Sequence, residues 1–115
     1  MRVFVICPVR SGNRYIEVEE YVKYLEARGH TVHWPPRDTG QDDPTGYRIC
    51  SDNHSAILLA DEVHVAWDGE SQGCLFDLGM AFAEGKKVRR IPGLFPPPTE
   101  GKSYPSMVED WEARR

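Results

Sequence analysis

Cysteine is scarce in this 115-residue chain, with only Cys7, Cys50 and Cys74. Their number is odd, they are widely spaced and no C-x-x-C pair occurs, so neither a disulfide framework nor a thiol redox motif is implied. A reducing, cytoplasmic setting is expected. An excess of positive charge is also missing. The 14 Lys+Arg stand against 18 Asp+Glu, a formal net charge of −4. That argues against a nucleic-acid partner, because duplex binding needs a cationic face. Long hydrophobic runs are absent too. The opening MRVFVICP stretch is far too short for a signal h-region or a membrane span, so no membrane partner is expected. The histidines His30, His33, His54 and His64 match no zinc spacing. Asp38, Asp42 and Asp43 lack the spacing of a calcium loop. Neither metal nor cofactor is therefore expected.

What is present suits a globular protein, with 40% apolar and 28% charged residues. The length suits one small domain. Residues 2–7 form a continuous apolar run, as in a strand buried on both faces. After a loop over 8–13, Val18, Tyr21, Val22 and Leu25 mark one face of a helix that stops at Gly29. Asn13 is the expected N-cap of that helix. A second strand is predicted over 31–34, followed by a long irregular segment over 35–44. Asp43 or Thr45 could cap a second helix bearing Ile49, Ala56, Ile57 and Ala60. A third strand (62–67), a third helix (72–84, ending at Gly85) and a fourth strand (87–91) follow. Residues 92–105, with the PGLFPPP run, read as irregular, and 106–115 as a short helix carrying Trp111. Residues 1–91 thus read as an α/β nucleotide-binding-like domain. The proline-rich 92–115 extension is assigned to the same domain.

This βαβαβαβ alternation calls for a parallel sheet of four or five strands with helices on both faces, joined by right-handed crossovers. The expected fold is a single Rossmann-like or flavodoxin-like α/β domain. Ligands in such sheets bind outside the carboxyl ends of the strands, where strand order reverses. The loops 8–13, 35–44 and 68–72 are therefore where function is sought.

The richest stretch is 60–86. Ser71 and the Gln72–Gly73 backbone fall at a helix N-terminus, where free N–H groups and the helix dipole attract an anion. Gly73 allows close approach of a ligand. At 100° per residue, Leu75, Leu78 and Phe82 share one face, Asp77 falls at its boundary, and Phe76 and Met80 lie on the far side. A helix apolar on two sides is buried on both or meets a subunit, so a homodimer or higher oligomer is expected. Asp77 would then sit at the seam, partly desolvated, where a carboxylate could attack a sugar C1′.

The residues Ala60, Asp61, Val63 and Val65, followed by Ser71, Gly73, Asp77, Leu78, Gly79 and Ala81, form the run A-D-x-V-x-V-A and S-x-G-x-x-x-acid-L-G-x-A. This pattern resembles the nucleoside 2-deoxyribosyltransferase family, which includes 2′-deoxynucleoside 5′-monophosphate N-glycosidases. The resemblance implies that the acid before Leu-Gly, here Asp77, is the nucleophile. The family's residue is normally Glu, one methylene longer. It also implies that the first loop, here Cys7, Pro8, Val9, Arg10, Ser11 and Gly12, lines the sugar and phosphate pocket. Arg10 suits a phosphate by its fork geometry. A second acid is implied on helix two, where Asn53 holds the register and Asp52 precedes it. Family members are oligomers with sites near subunit contacts, which agrees with the apolar faces of helix three.

The expected function is binding of a small-molecule nucleoside or nucleotide and cleavage or transfer of its N-glycosidic bond. Asp77 would be the nucleophile, with Asp52 and Asp68 as candidate proton handlers. Cys7, Pro8, Arg10, Gly12, Ser71, Gln72 and Gly73 would form the substrate pocket. The alternative is a non-catalytic sensor for a nucleotide-like ligand, which keeps the pocket without the Glu nucleophile. A third reading is a small interaction protein that docks through its proline-rich tail.

Overall fold

The computed structural model describes residues 1–9 and 13–114, and not the side chains of Asn13 and Arg14. The expected cap at Asn13 therefore lies outside the described residues. The elements run β1 (Arg2–Ile6), α1 (Asn13–Ala27), β2 (Thr31–His33), α2 (Pro35–Asp38), α3 (Tyr47–Leu59), β3 (Glu62–Val65), α4 (Gln72–Ala83), β4 (Lys87–Arg90) and α5 (Tyr104–Ala113). The four strands form one parallel sheet in the order β2-β1-β3-β4. Phe4 of β1 pairs with His33 on one side and Val63 on the other.

That order explains the layering. The chain leaves β1 toward β2, then crosses back over β1 to reach β3. Right-handed crossovers in opposite directions must run over opposite faces. Accordingly α1 packs Val18, Val22 and Leu25 against Val3, Val5 and Val32 on one face. On the other, Ile57 of α3, Leu78 and Ala81 of α4 and Val108 of α5 pack against Phe4, Ile6, Val63 and Val65. From Val3 to Ile6 strand β1 is apolar because alternate residues feed two separate cores. Each fully buried aliphatic side chain contributes about 1.5–3 kcal/mol to these layers.

Several boundaries have local causes. Gly29 ends α1 with φ +91°, and the His30 N–H reaches back to the Leu25 carbonyl at 3.2 Å, the long bond of a Schellman turn. At the start of α3 the cap position is Gly46, not Asp43 or Thr45, because the backbone there is left-handed (φ 88°). Both predicted residues still serve that terminus. Asp43 accepts from the Ile49 N–H at 3.0 Å and Thr45 Oγ1 from the Tyr47 N–H at 3.3 Å. The segment read as irregular over 35–44 opens with the single turn α2, begun by two prolines that suit a first helical turn.

The inward stripe of α4 is Cys74, Leu78 and Ala81, and not Leu75, Leu78 and Phe82. The helix is rotated so that Cys74, Leu78 and Ala81 meet the sheet while Gly73, Gly79 and Ala83 stay exposed. Phe82 is left 59% exposed, resting edge-on against Trp111 at 5.3 Å. Phe76 is 55% exposed. Met80 packs partly against the core. The proline-rich segment is irregular but tied down. The Leu94 carbonyl accepts from Trp67 N–H at 2.8 Å, and Ser106 Oγ donates to the Thr99 carbonyl at 3.0 Å. No described helix is long and apolar enough to cross a membrane.

Candidate functional site

At the carboxyl edge of the sheet, between β1 and β3, strand order reverses. A cleft of about 110 Å³ opens there, smaller than the roughly 300–1,000 Å³ of a typical small-molecule site. Its floor is Cys7 at the end of β1. Pro35 and Gln41 come from the segment after β2, Ile49, Cys50 and Asn53 from α3, and Ser71, Gly73, Cys74, Phe76 and Asp77 from the start of α4. A larger groove of about 370 Å³ lies between α4 and α5, but Tyr104 is the one polar side chain among its described walls.

Helix α4 aims its functional residues by simple periodicity. Ser71 caps it, its Oγ accepting from the Cys74 N–H at 3.4 Å. Asp68 shapes the approach, its Oδ1 accepting from the N–H groups of Glu70 (2.9 Å) and Ser71 (2.8 Å). Gly73 and Asp77 are four residues apart, so both face the cleft one turn from each other. Burial pushes the Asp77 carboxyl up to about 7, while the Asn53 side chain favours the charged form. Burial also holds the Cys7 thiol up at about 11 and Cys74 at about 12. Cys7 Sγ accepts from the Trp34 indole N–H at 3.2 Å.

Of the expected site residues, the fold brings Cys7, Val9, Ser71, Gly73 and Asp77 to one cleft. Pro8 is buried beside it, and Gln72 is exposed outside its lining. Asp52 is exposed on α3 and does not line the cleft; its neighbour Asn53 does. Asp68 lies on the loop outside the lining, where it holds Ser71. Arg10 and Gly12 lie outside the described residues. Sequence reasoning missed Gln41, Ile49, Cys50 and the role of Asn53. A signal for Asn53 existed, since it sits four residues from both Ile49 and Ile57, a polar residue inside an apolar helical stripe. No group of three or more His, Cys, Asp or Glu among the described residues is placed to hold a metal ion.

A four-stranded parallel α/β fold, flavodoxin-like in its order, with one shifted carboxylate at the switch point defines the class. Among solved structures the chain is similar to the 2-deoxyribosyltransferase of the psychrotolerant bacterium Bacillus psychrosaccharolyticus, with TM-score 0.72 and 20% identity over 96% of this chain and 81% of that one. It is also similar to the CMP N-glycosidase BcmB of Clostridium botulinum, with TM-score 0.58 and 23% identity over 78% of this chain and 70% of that one. At these identities the likeness is one of fold. No protein-family model and no curated protein matches the chain.

Proposed function

We propose that this protein binds a nucleoside or nucleotide in the Asp77 cleft and cleaves or transfers its N-glycosidic bond. The observation that carries the reading is Asp77 itself, a carboxyl held near neutrality at the switch point beside the Ser71-capped start of α4. Two structural neighbours named as a deoxyribosyltransferase and an N-glycosidase support it. The ionised Asp77 attacks C1′, the C1′–N bond breaks, and a glycosyl ester remains on the carboxylate. Water or a second base then attacks C1′ and frees Asp77, as in a retaining glycosidase. No second carboxylate lines the cleft among the described residues, so the departing base takes its proton from water. Asp68 acts on the site through Ser71, and Asp52 stands beside Asn53 as a solvent-facing acid. Arg10 is the proposed phosphate partner. The N–H groups at Gln72 and Gly73 hold a phosphate or sugar hydroxyl.

Incubation with ribo- and deoxyribonucleosides and their 5′-monophosphates, reading free base by chromatography, tests the proposal. Base release that disappears in Asp77→Ala is the expected result. A competing reading is a nucleotide sensor, favoured by Asp77 being one methylene shorter than Glu and by Asn53 in place of a second acid. Ligand-induced thermal stabilisation with no base released from any member of the panel would establish that reading instead.

A further inference from the structure

Behind Asp77 runs a chain of side chains drawn from separate segments. His33 Nε2, at the end of β2, lies 2.8 Å from Thr39 Oγ1. Thr39 Oγ1 donates to Asn53 Oδ1 at 2.8 Å. Asn53 and Asp77 line the same cleft, where the Asn53 side chain favours the charged form of the Asp77 carboxyl. Thr39 and Asn53 are each only 5% exposed, so solvent does not compete for the bond between them, while the His33–Thr39 bond is part-buried. The His33 ring lies flat on Phe4, with centroids 5.4 Å apart and planes 8° from parallel, and Phe4 is fully buried.

We infer that His33 and Thr39 are positioning residues for Asp77, holding the Asn53 amide with its N–H edge toward the carboxylate. The inference rests on Asp77 being the reactive group proposed above. The argument is one of proton inventory. A hydroxyl has one proton, and Thr39 spends it on Asn53 Oδ1. Toward His33 the same oxygen can only accept, so His33 must carry its proton on Nε2. With Oδ1 engaged by Thr39, Asn53 turns Nδ2–H to Asp77. A reversed amide would set Oδ1 against a carboxylate and would demand the opposite histidine tautomer. Each link therefore fixes the next, and the stacked imidazole anchors the chain to the core.

The groups around both ends are few. The Asp77 charge is felt by Cys7 just past β1, by Cys50 of α3 and by Cys74 of its own helix, and it raises each thiol. Around His33 stand Asp38, Arg37 and Asp52, while burial lowers its own basicity. The imidazole is thus neutral at the pH where Asp77 ionises. A fixed N–H beside a buried carboxylate favours the charged form that attacks C1′.

The test uses the ligand-free, isotope-labelled full chain in NMR. At about pH 8.5, above the Asp77 midpoint, His33 is expected as the Nε2–H tautomer. The Asn53 side-chain nitrogen and the Asp77 carboxyl carbon are expected to titrate with one shared midpoint. Thr39→Val, which deletes the hydroxyl at nearly constant volume, should raise that midpoint by about one unit, a tenfold weaker acid. The rise of kcat/KM with pH should move with it, and Thr39→Ser should behave as the native chain. An Nδ1–H tautomer at His33 overturns the inference, as does a Thr39→Val variant with the native midpoint. Should Thr39→Val fail to fold, the tautomer and the shared midpoint decide the matter in the native protein. The intact relay in a chain that releases no base overturns the proposed function and leaves the positioning in place. Base release with an unmoved midpoint in Thr39→Val does the reverse.

Discussion

The Trp34 indole donates its N–H to Cys7 Sγ at 3.2 Å, tying the end of β2 to the end of β1 beneath the cleft. Trp34 is 2% exposed and Tyr15 packs on its ring at 5.0 Å, so water cannot replace the sulfur as acceptor. Cys7→Ala should leave that N–H unsatisfied and cost about 1–3 kcal/mol in urea unfolding. Cys7→Ser keeps an acceptor and should cost less. Equal losses in the two variants would show that packing, not the bond, holds this corner.

Asp77 should make folding pH-dependent in a definite direction. Its carboxyl titrates near 7 in the folded chain against an ordinary 3.8, so the folded state holds the proton more tightly. Stability is then undiminished below about pH 4 and falls as pH rises through 7. His33 and His64, whose basicity burial lowers, work in the opposite sense below their ordinary 6.5. Subtracting an Asp77→Asn variant isolates the carboxyl. That variant should match the native protein at pH 4 and exceed it by about 1–3 kcal/mol at pH 8, allowing for partial solvent screening. Parallel melting curves across that range would remove Asp77 from the desolvated cleft.

Gly73 offers a separation of binding from folding. A β-carbon there would meet only Ser71 Oγ, at an ordinary 3.9 Å, and alanine is the better helix former by about 0.8–1.0 kcal/mol. Gly73→Ala should therefore melt no lower than the native chain. The new methyl stands at the cleft wall, so nucleotide affinity should fall several-fold in calorimetry. Undiminished affinity would place the ligand away from the start of α4.

Self-association is the remaining expectation. Phe76 at the cleft, and Phe82 and Tyr104 at the α4–α5 groove, are each more than half exposed, and contiguous exposed apolar patches mark interaction surfaces. Light scattering should report at least a dimer at micromolar concentration, and Phe76→Glu should shift it toward monomer while weakening nucleotide binding. A monomeric native chain would sink this expectation.

The fold was legible because it depends on periodicity. Runs of two-sided apolar strand, helical stripes and glycine stops placed every major element to within a few residues. The Ser71–Gly73–Asp77 part of the cleft was legible for the same reason, since one helix carries all three at fixed spacing. What escaped came from through-space meetings. Thr39 sits in a segment without periodicity, and nothing local ties it to His33 or Asn53. The rotation of α4 escaped as well. Cys74 and Ala81 face the sheet while Phe82 turns to Trp111 of α5, a meeting across space that the apolar pattern of one helix does not carry.

The convergence of Cys7, Cys50 and Cys74 on one cleft also sets how this protein ages under oxidative stress. Cys7 and Cys74 are buried, while Cys50 is partly open to solvent. Reactive thiolate is scarce at all three, because burial raises each thiol. Thiol damage by peroxide is therefore slow, and the thiol it reaches first is the one at the cleft wall. An oxygen added to Cys50 would sit beside Asp77 and bring polarity and bulk into a space of about 110 Å³. All three thiols of the chain lie at this cleft, so thiol oxidation falls there, while the exposed Met1 and Met107 offer peroxide a separate target away from it.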